Sequence, residues 1–476
     1  MTTLTKDSSN NQGDQAGPIT TQTIPDYPGS HPIWGTGRDF AQDPIAILLH
    51  IVKDYPQMVR LRFGPFHAHV ISDPDLAKEV MVTKNRNFVR PDNLRNILGA
   101  ASGVNLFNSD GDYWLRQRRM LQPAFHMRRI TGFAQTMTTE SERLLARWDA
   151  HPDVAAGRPV DIQDEMTWVT LNIVGKSLFG VDMQEAGWGQ ELTGAFGTNA
   201  AWIDHRFNNL ISAPLWMPTR LNRDFKRGRA TVYRLLGEMI DQRRQTIQSQ
   251  HEERDDFLQM LLELRYEDTD EGMTDKQLMD ECGAFFFAGH ETTALSLSWA
   301  WYLLATHPGA EAKLHAEVDE VLGGRIPTLG DLEQMPYSRM VIEEAMRLYP
   351  AAWATSRQSV EAEQIGPYAL PAKSMVMINF SGIHRHPDYW ERPDSFEPER
   401  FSPERSANRP RHAYLPFGQG PRLCIGNQFA MMEAQLVLAT VAQRYRMRTL
   451  PGYTAKAKPV FTLHVDGGLP MILERR

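Results

Sequence analysis

Cys282 and Cys424 are the chain's only thiols, and the second has the neighbourhood of a reactive one. It belongs to a run in which Phe417, Gly418, Gly420, Arg422, Cys424 and Gly426 follow one another at intervals of one or two residues. Glycines at 418 and 420 allow tight turns that bring backbone amides close to a ligand atom. A helical pattern begins directly after, so Cys424 is expected where helix amides and the helix dipole lower a thiol's pKa, with Arg422 adding positive charge. A thiolate stabilised in this way is either a nucleophile or a metal ligand. The plain alternative is a glycine loop before a helix with a buried cysteine. Cys282 lies in an apolar run, mid-helix by pattern and without dipole help, and is expected to be a buried structural thiol.

Three further groups of residues carry chemistry. In Ala288, Gly289, His290, Glu291, Thr292 and Thr293, glycine weakens a helix by roughly 1 kcal/mol against alanine. Thr292 can bond a carbonyl one turn back, so the turn is expected to be loosened beside an acid, the alternative being a polar kink in a core helix. Glu344 and Arg347 share a helix face, and Arg400, between Glu399 and Phe401, can complete a Glu–Arg–Arg cluster. Alone such a pair is usually a surface contact of a few tenths of a kcal/mol. Trp114 and Arg118 form an i, i+4 pair on another predicted helix.

With these motifs in this order the chain resembles the cytochrome P450 family, the haem-thiolate monooxygenases, over residues 31–476, and no motif position departs from the pattern. The resemblance implies haem b with Cys424 as axial iron ligand, a thiolate whose electron push favours O–O cleavage. It implies Phe417 against the sulfur side of the haem, and Trp114, Arg118 and Arg422 on the propionates. Arg357 and His412 are further propionate candidates, with surface solvation as their alternative. Glu291 and Thr292 take the proton-delivering role in catalysis, and Glu344, Arg347 and Arg400 a structural one beneath the haem.

The elements that must position these residues are mostly helices. Apolar periodicity predicts helices over 43–54, 112–125, 129–148, 162–178, 223–250, 274–306, 309–322, 332–349 and 426–446. Residues 59–72 alternate like a β-hairpin turning at Gly64 and Pro65. Residues 90–110 and 385–416 read as irregular, and long irregular stretches are usually functional. The composition, 42% apolar and 23% charged with a net charge of −7, fits a globular protein and argues against nucleic acid as the main partner. Residues 1–30 read as a flexible polar tail, with no signal peptide or membrane anchor, and residues 31–476 as one domain. Two cysteines exclude a disulfide scaffold and fit a reducing cytoplasm. The resemblance implies the family's fold: one large, mainly helical domain with small β-sheets enclosing the haem.

No Gly-x-Gly-x-x-Gly follows a strand, and the stretch after Cys424 is too short for a reductase domain. Electrons are therefore expected from a separate ferredoxin or flavodoxin with its NAD(P)H-dependent reductase. Arg116, Arg118, Arg119, Arg128 and Arg129 offer such an acidic partner a docking face by charge steering, the alternative being a solvated face with Arg118 turned inward. The expected substrate pocket comprises Ile97, Leu98, Phe107, Phe285, Ala288, Ala352, Trp353 and Val465. These residues are mostly apolar, which implies a lipophilic substrate such as a fatty acid, terpenoid or polycyclic compound; the resemblance implies that O2 oxidises it, and a monomer is expected. Arg90 or Arg95 is a candidate for holding a substrate carboxylate at the mouth. A peroxide-using or rearranging haem-thiolate enzyme is the nearest alternative, and a non-catalytic haem sensor or carrier the alternative of another class. The Glu291–Thr292 pair argues against all of these.

Overall fold

Residues 275–306 carry apolar side chains in every direction, and a helix apolar all round must be buried. In the computed structural model they form one continuous helix, Asp275–Thr306, of 32 residues, about 48 Å long at 1.5 Å per residue. The structure describes residues 22–29, 31–209, 212–250, 256–266 and 270–476. Thr274 and Gln277 start the central helix with a reciprocal capping box, which satisfies two otherwise orphaned donors. Its hydroxyls are satisfied internally: Ser296 and Ser298 donate to the carbonyls of Thr292 and Ala294.

Four helices, Ile162–Phe179, Arg220–Gln250, Pro336–Leu348 and Asn427–Ala442, pack around the central one. A Cβ at Gly289 would stand 2.9 Å from the Val174 side chain. Glycine there sets the closest approach of the central helix to Ile162–Phe179.

A five-stranded sheet lies to one side, in the order Met58–Phe63, Phe66–Ile71, Met375–Ile378, Thr355–Ser359 and Phe88–Val89. Its first two strands form the expected hairpin, with Gly64 at φ 61°. A three-stranded sheet joins Val160–Asp161, Pro470–Arg475 and Tyr445–Thr449, and two short hairpins complete the β-structure. One of these, Ala457–Pro459 with Leu463–Val465, reaches the functional site.

Several sequence expectations require correction. Residues 90–110 are not wholly irregular, since Asp92–Ser102 is a helix. Gly189–Asn208 is a helix that sequence periodicity did not reveal, because its glycines and polar residues dilute the apolar stripe. The 129–148 pattern divides into Met127–Ile130, a 3-10 turn and Ala134–Asp149. The last helix stops at Ala442, and Tyr445 and Met447 alternate inward on a strand. Of the expected tail, residues 1–21 and 30 lie outside the described residues. Residues 22–29 are tied down: Gln22 N–H donates to the Pro367 carbonyl, Arg60 N–H to that of Pro25, and Arg60 pairs with Asp26 at 2.6 Å. Cys282 is fully buried, as expected.

Candidate active site

The loop before Cys424 is fixed by its own backbone. Gly418 and Gly420 have φ of 70° and 71°, a region open to glycine at no steric penalty. A side chain at Gly420 would also run into the Met81 carbonyl. Cys424 N–H donates to the Phe417 carbonyl at 3.0 Å, and Gly418 N–H to that of Leu415 at 3.1 Å.

A buried charge cluster holds the loop's approach. Arg347 makes 2.7 and 2.8 Å bonds to Glu344 and donates to the carbonyls of His384, Pro393 and Ser395. Arg400 donates to Glu344 at 3.3 Å and to the carbonyls of Glu391 and Arg392. Neutral His384 in turn accepts from Leu415 N–H at 2.8 Å; burial and two neighbouring arginines hold its pKa down to about 3. The expected Glu–Arg–Arg cluster is thus formed, and its influence passes through His384 into the cysteine loop.

Cys424 opens onto a cavity of about 1880 Å³. Its sulfur is accessible from that cavity while protein encloses it elsewhere. Burial pushes the thiol's pKa up, against the sequence expectation; an amide bond from Gly426 and the charge of Arg118 oppose the rise. Desolvation of a thiolate outweighs these two aids, whereas a coordinated metal cation would deprotonate the thiol outright.

Around the same cavity stand Trp114, Arg118, Arg357, Phe417 and Arg422. Arg422 pairs with Asp110, donates to the Ser109 carbonyl at 2.7 Å and lies 4.0 Å over the Trp114 ring. Among the described residues, Arg357 donates only to Thr355 Oγ1 and the Ser356 carbonyl. Neither Arg118 nor Arg357 has a carboxylate at ion-pair distance among the described residues, although burial works against both charges. Unpaired buried cations are costly, so a dianionic group in the cavity would satisfy them. A flat macrocycle with two carboxylates and a thiolate-ligated metal fits this set of donors.

Thr292 also lines the cavity and donates to the Ala288 carbonyl at 2.9 Å. The helix continues unbroken through this turn, so the expected loosening is absent. Glu291 is turned away from the cavity and accepts from Thr462 at 2.6 Å, with His464 Nε2 at 2.9 Å. Both partners come from the Ala457–Val465 hairpin region and carried no sequence signal, being over 170 residues distant.

Of the expected pocket residues, Ile97, Leu98, Phe107, Phe285, Ala288, Ala352 and Trp353 line the cavity. Val465 does not; it is buried in the core, and Val460, Phe461 and Thr462 of the hairpin line the wall instead. His412 also departs from expectation: its Nε2 lies 2.8 Å from Asp75, outside the cavity. Arg90 is buried on Ser109 and Asp110 rather than exposed at a mouth, and Arg95 pairs with Asp92 on the surface. Phe196 and Ile203, from the unforeseen Gly189–Asn208 helix, complete the apolar lining.

The family model "Cytochrome P450" matches residues 25–465. The chain belongs to the cytochrome P450 family. This P450 is 36% identical over 460 residues to a cyclooctatin synthase of Streptomyces melanosporofaciens, covering 94% of this chain and 95% of the relative. It is 32% identical to a cyclooctat-9-en-7-ol 5-monooxygenase of the same organism, covering 96% of each. Among solved structures, the cytochrome P450DA heme domain superposes with a TM-score of 0.86 at 26% identity, over 96% of this chain and 98% of that one. The P450 is accordingly a haem-binding, mainly helical monooxygenase that uses a redox partner and a lipophilic substrate. Among the described residues, no helix is long and apolar enough to cross a membrane.

Proposed function

We propose that this P450 hydroxylates a polycyclic terpenoid, with haem b held by Cys424 and electrons delivered by a ferredoxin or flavodoxin. The carrying observation is the convergence of the Cys424 sulfur, the Thr292 hydroxyl and two guanidiniums lacking carboxylate partners on one largely apolar cavity. In this reading Cys424 would hold the haem iron, Phe417 would cover the sulfur, and Trp114, Arg118, Arg357 and Arg422 would take the propionates. Bound in this way, the haem supplies O–O bond cleavage, favoured by the thiolate.

The chain's own residues do the rest. Thr292 holds a hydroxyl at the cavity, and Glu291 stands behind it as the acid–base group. General acid help of this kind is typically worth 10²–10⁴-fold. Phe107, Phe285, Trp353 and Phe461 exclude water and orient an apolar skeleton. The names of the two Streptomyces relatives support a terpenoid within the lipophilic class. Arg116, Arg119 and Arg128 are exposed while Arg118 turns toward the cavity, which supports an acidic electron donor docking on that face. Two free thiols are in keeping with a cytoplasmic enzyme, and we take it to act as a monomer.

The test is the carbon monoxide difference spectrum of the reduced protein, wild type beside Cys424→Ser and Cys282→Ser. A red-shifted Soret band kept in Cys282→Ser and lost in Cys424→Ser is expected. Absence of that band from folded wild type, or its survival in Cys424→Ser, would overturn the assignment. Spin-state titration with polycyclic terpenes against fatty acids then tests the substrate class, where tighter fatty-acid binding refutes it.

A further inference from the structure

Glu291 is the acid of the catalytic pair, yet its carboxylate does not border the cavity. Two side chains converge at its Oε1: Thr462 Oγ1 lies 2.6 Å from Oε1, His464 Nε2 lies 2.9 Å from it, and Thr462 Oγ1 and His464 Nε2 are 3.1 Å apart. The three differ in where they look. Thr462 is buried and lines the cavity wall. The Glu291 side chain is 12% exposed and that of His464 27%. In order of exposure, the triangle runs from cavity to solvent.

This arrangement is held from several sides. Leu463 N–H donates to the Ala351 carbonyl, and the Leu463 carbonyl accepts from Trp299 Nε1 of the central helix at 3.0 Å. Val465 N–H donates to Gln163 at 2.9 Å. The backbone on both sides of His464 is therefore anchored, which fixes where its Cα stands relative to Glu291. The other charged groups nearby are engaged elsewhere. Lys458, opposite His464 in the hairpin, lies 3.5 Å from Asp466. His290, next to Glu291 on the helix, is buried with Nδ1 2.6 Å from the Phe286 carbonyl.

We propose that His464 and Thr462 complete a proton path through Glu291, His464 taking the proton from solvent and Thr462 releasing it into the cavity. The inference rests on the proposed catalytic role of Glu291. The transfer balances as a relay. Water protonates His464 at Nδ1 and His464 passes its Nε2 proton to the Glu291 carboxylate; the Thr462 hydroxyl, which donates to Glu291 at rest, then turns to hand its own proton to an acceptor in the cavity as the acid donates to Oγ1, and proton exchange with water returns His464 to its starting tautomer. One proton leaves solvent, one arrives in the cavity, and no bond other than O–H and N–H changes. Histidine is suited to the outer position because imidazole exchanges protons near neutral pH.

Two measurements test this. In the diamagnetic reduced carbonyl form of the holoenzyme, the His464 imidazole is followed by NMR in wild type and in Glu291→Gln. The ring nitrogen resonance of Nε2 should move toward that of an unpaired imidazole when the carboxylate is removed, because the 2.9 Å contact to Oε1 is lost. An unchanged resonance would overturn the coupling, and this result does not depend on turnover. In turnover with a ferredoxin system, His464→Gln keeps a hydrogen bond but cannot relay. It should divert several-fold more reducing equivalents to peroxide and lose the histidine-range inflection from the pH profile. Thr462→Val should behave likewise, and Thr462→Ser should restore coupling. Wild-type coupling and pH profile in both His464→Gln and Thr462→Val would sink the path. Loss of the carbonyl Soret band in wild type would instead count against the haem-thiolate reading.

Discussion

Replacing Arg347 with methionine isolates what the buried charge cluster contributes. Methionine fills most of the volume, so the loss is polar rather than a cavity. Arg347 makes five bonds, two to Glu344 and three to the carbonyls of His384, Pro393 and Ser395. Each carbonyl left without its donor costs about 1 kcal/mol. Removing one partner of a buried ion pair costs roughly 3–5 kcal/mol. The low end applies here, because Arg400 at 3.3 Å and the Glu397 N–H at 2.9 Å still serve Glu344. The sum is about 6 kcal/mol, comparable with the whole stability of many domains. Urea titration following the haem Soret band should therefore show Arg347→Met releasing haem at much lower denaturant. Adding Glu344→Gln removes the half-compensated carboxylate while Glu397 still pairs with Arg400 at 3.2 Å, so the double variant should lose less than the sum of the two single variants, a coupling the double-mutant cycle reads directly. Stability within ~1 kcal/mol of wild type for Arg347→Met, or additive losses in the double variant, would refute the reasoning.

Further predictions concern the central helix and the electron donor. Glu281 is buried, receives the Leu106 N–H at 2.9 Å, and burial raises its pKa to about 8. The folded state thus binds a proton that the unfolded state, near 4.3, has lost, so its contribution to stability falls between about pH 5 and pH 8. The slope should approach about 1.4 kcal/mol per pH unit; urea unfolding of wild type and Glu281→Gln at several pH values should show it vanish in the variant. Gly289→Ala, with its Cβ forced against Val174 at 2.9 Å, should destabilise by about 1–3 kcal/mol, and a neutral effect would show that the helices can part. Arg119→Glu with Arg129→Glu should slow reduction by a ferredoxin and flatten its salt dependence, measured by stopped flow; unchanged kinetics would discard that docking face.

Much of the site was legible in the chain because its chemistry is local. The turn around Gly418 and Gly420 places Cys424 by backbone conformation alone, and Thr292 reaches Ala288 within a single helical turn. The spacing of Glu344 and Arg347 likewise fixes a shared face before any packing occurs. Even the preference for a long buried helix follows from apolar residues on every side. These readings use only the 3.6-residue period and the φ range open to glycine, so no distant residue is required.

Tertiary structure decided whatever depends on which distant segments meet. His412 and Arg357 looked alike as cations before the cysteine loop, but only Arg357 reaches the cavity, because its strand runs beside the site while His412 turns to Asp75. Val465 and Thr462 are three residues apart, and strand direction sends one into the core and the other to the cavity wall. The net pKa shift of Cys424 reversed because burial, a property of the whole fold, outweighed a local amide and a nearby arginine. Glu291 is where the two levels meet: its residue type and helix position were set by sequence, whereas its partners Thr462 and His464 arrive from a hairpin far along the chain. Which neighbour a carboxylate keeps is a matter of packing at the ångström scale, and spacing along a chain does not encode it.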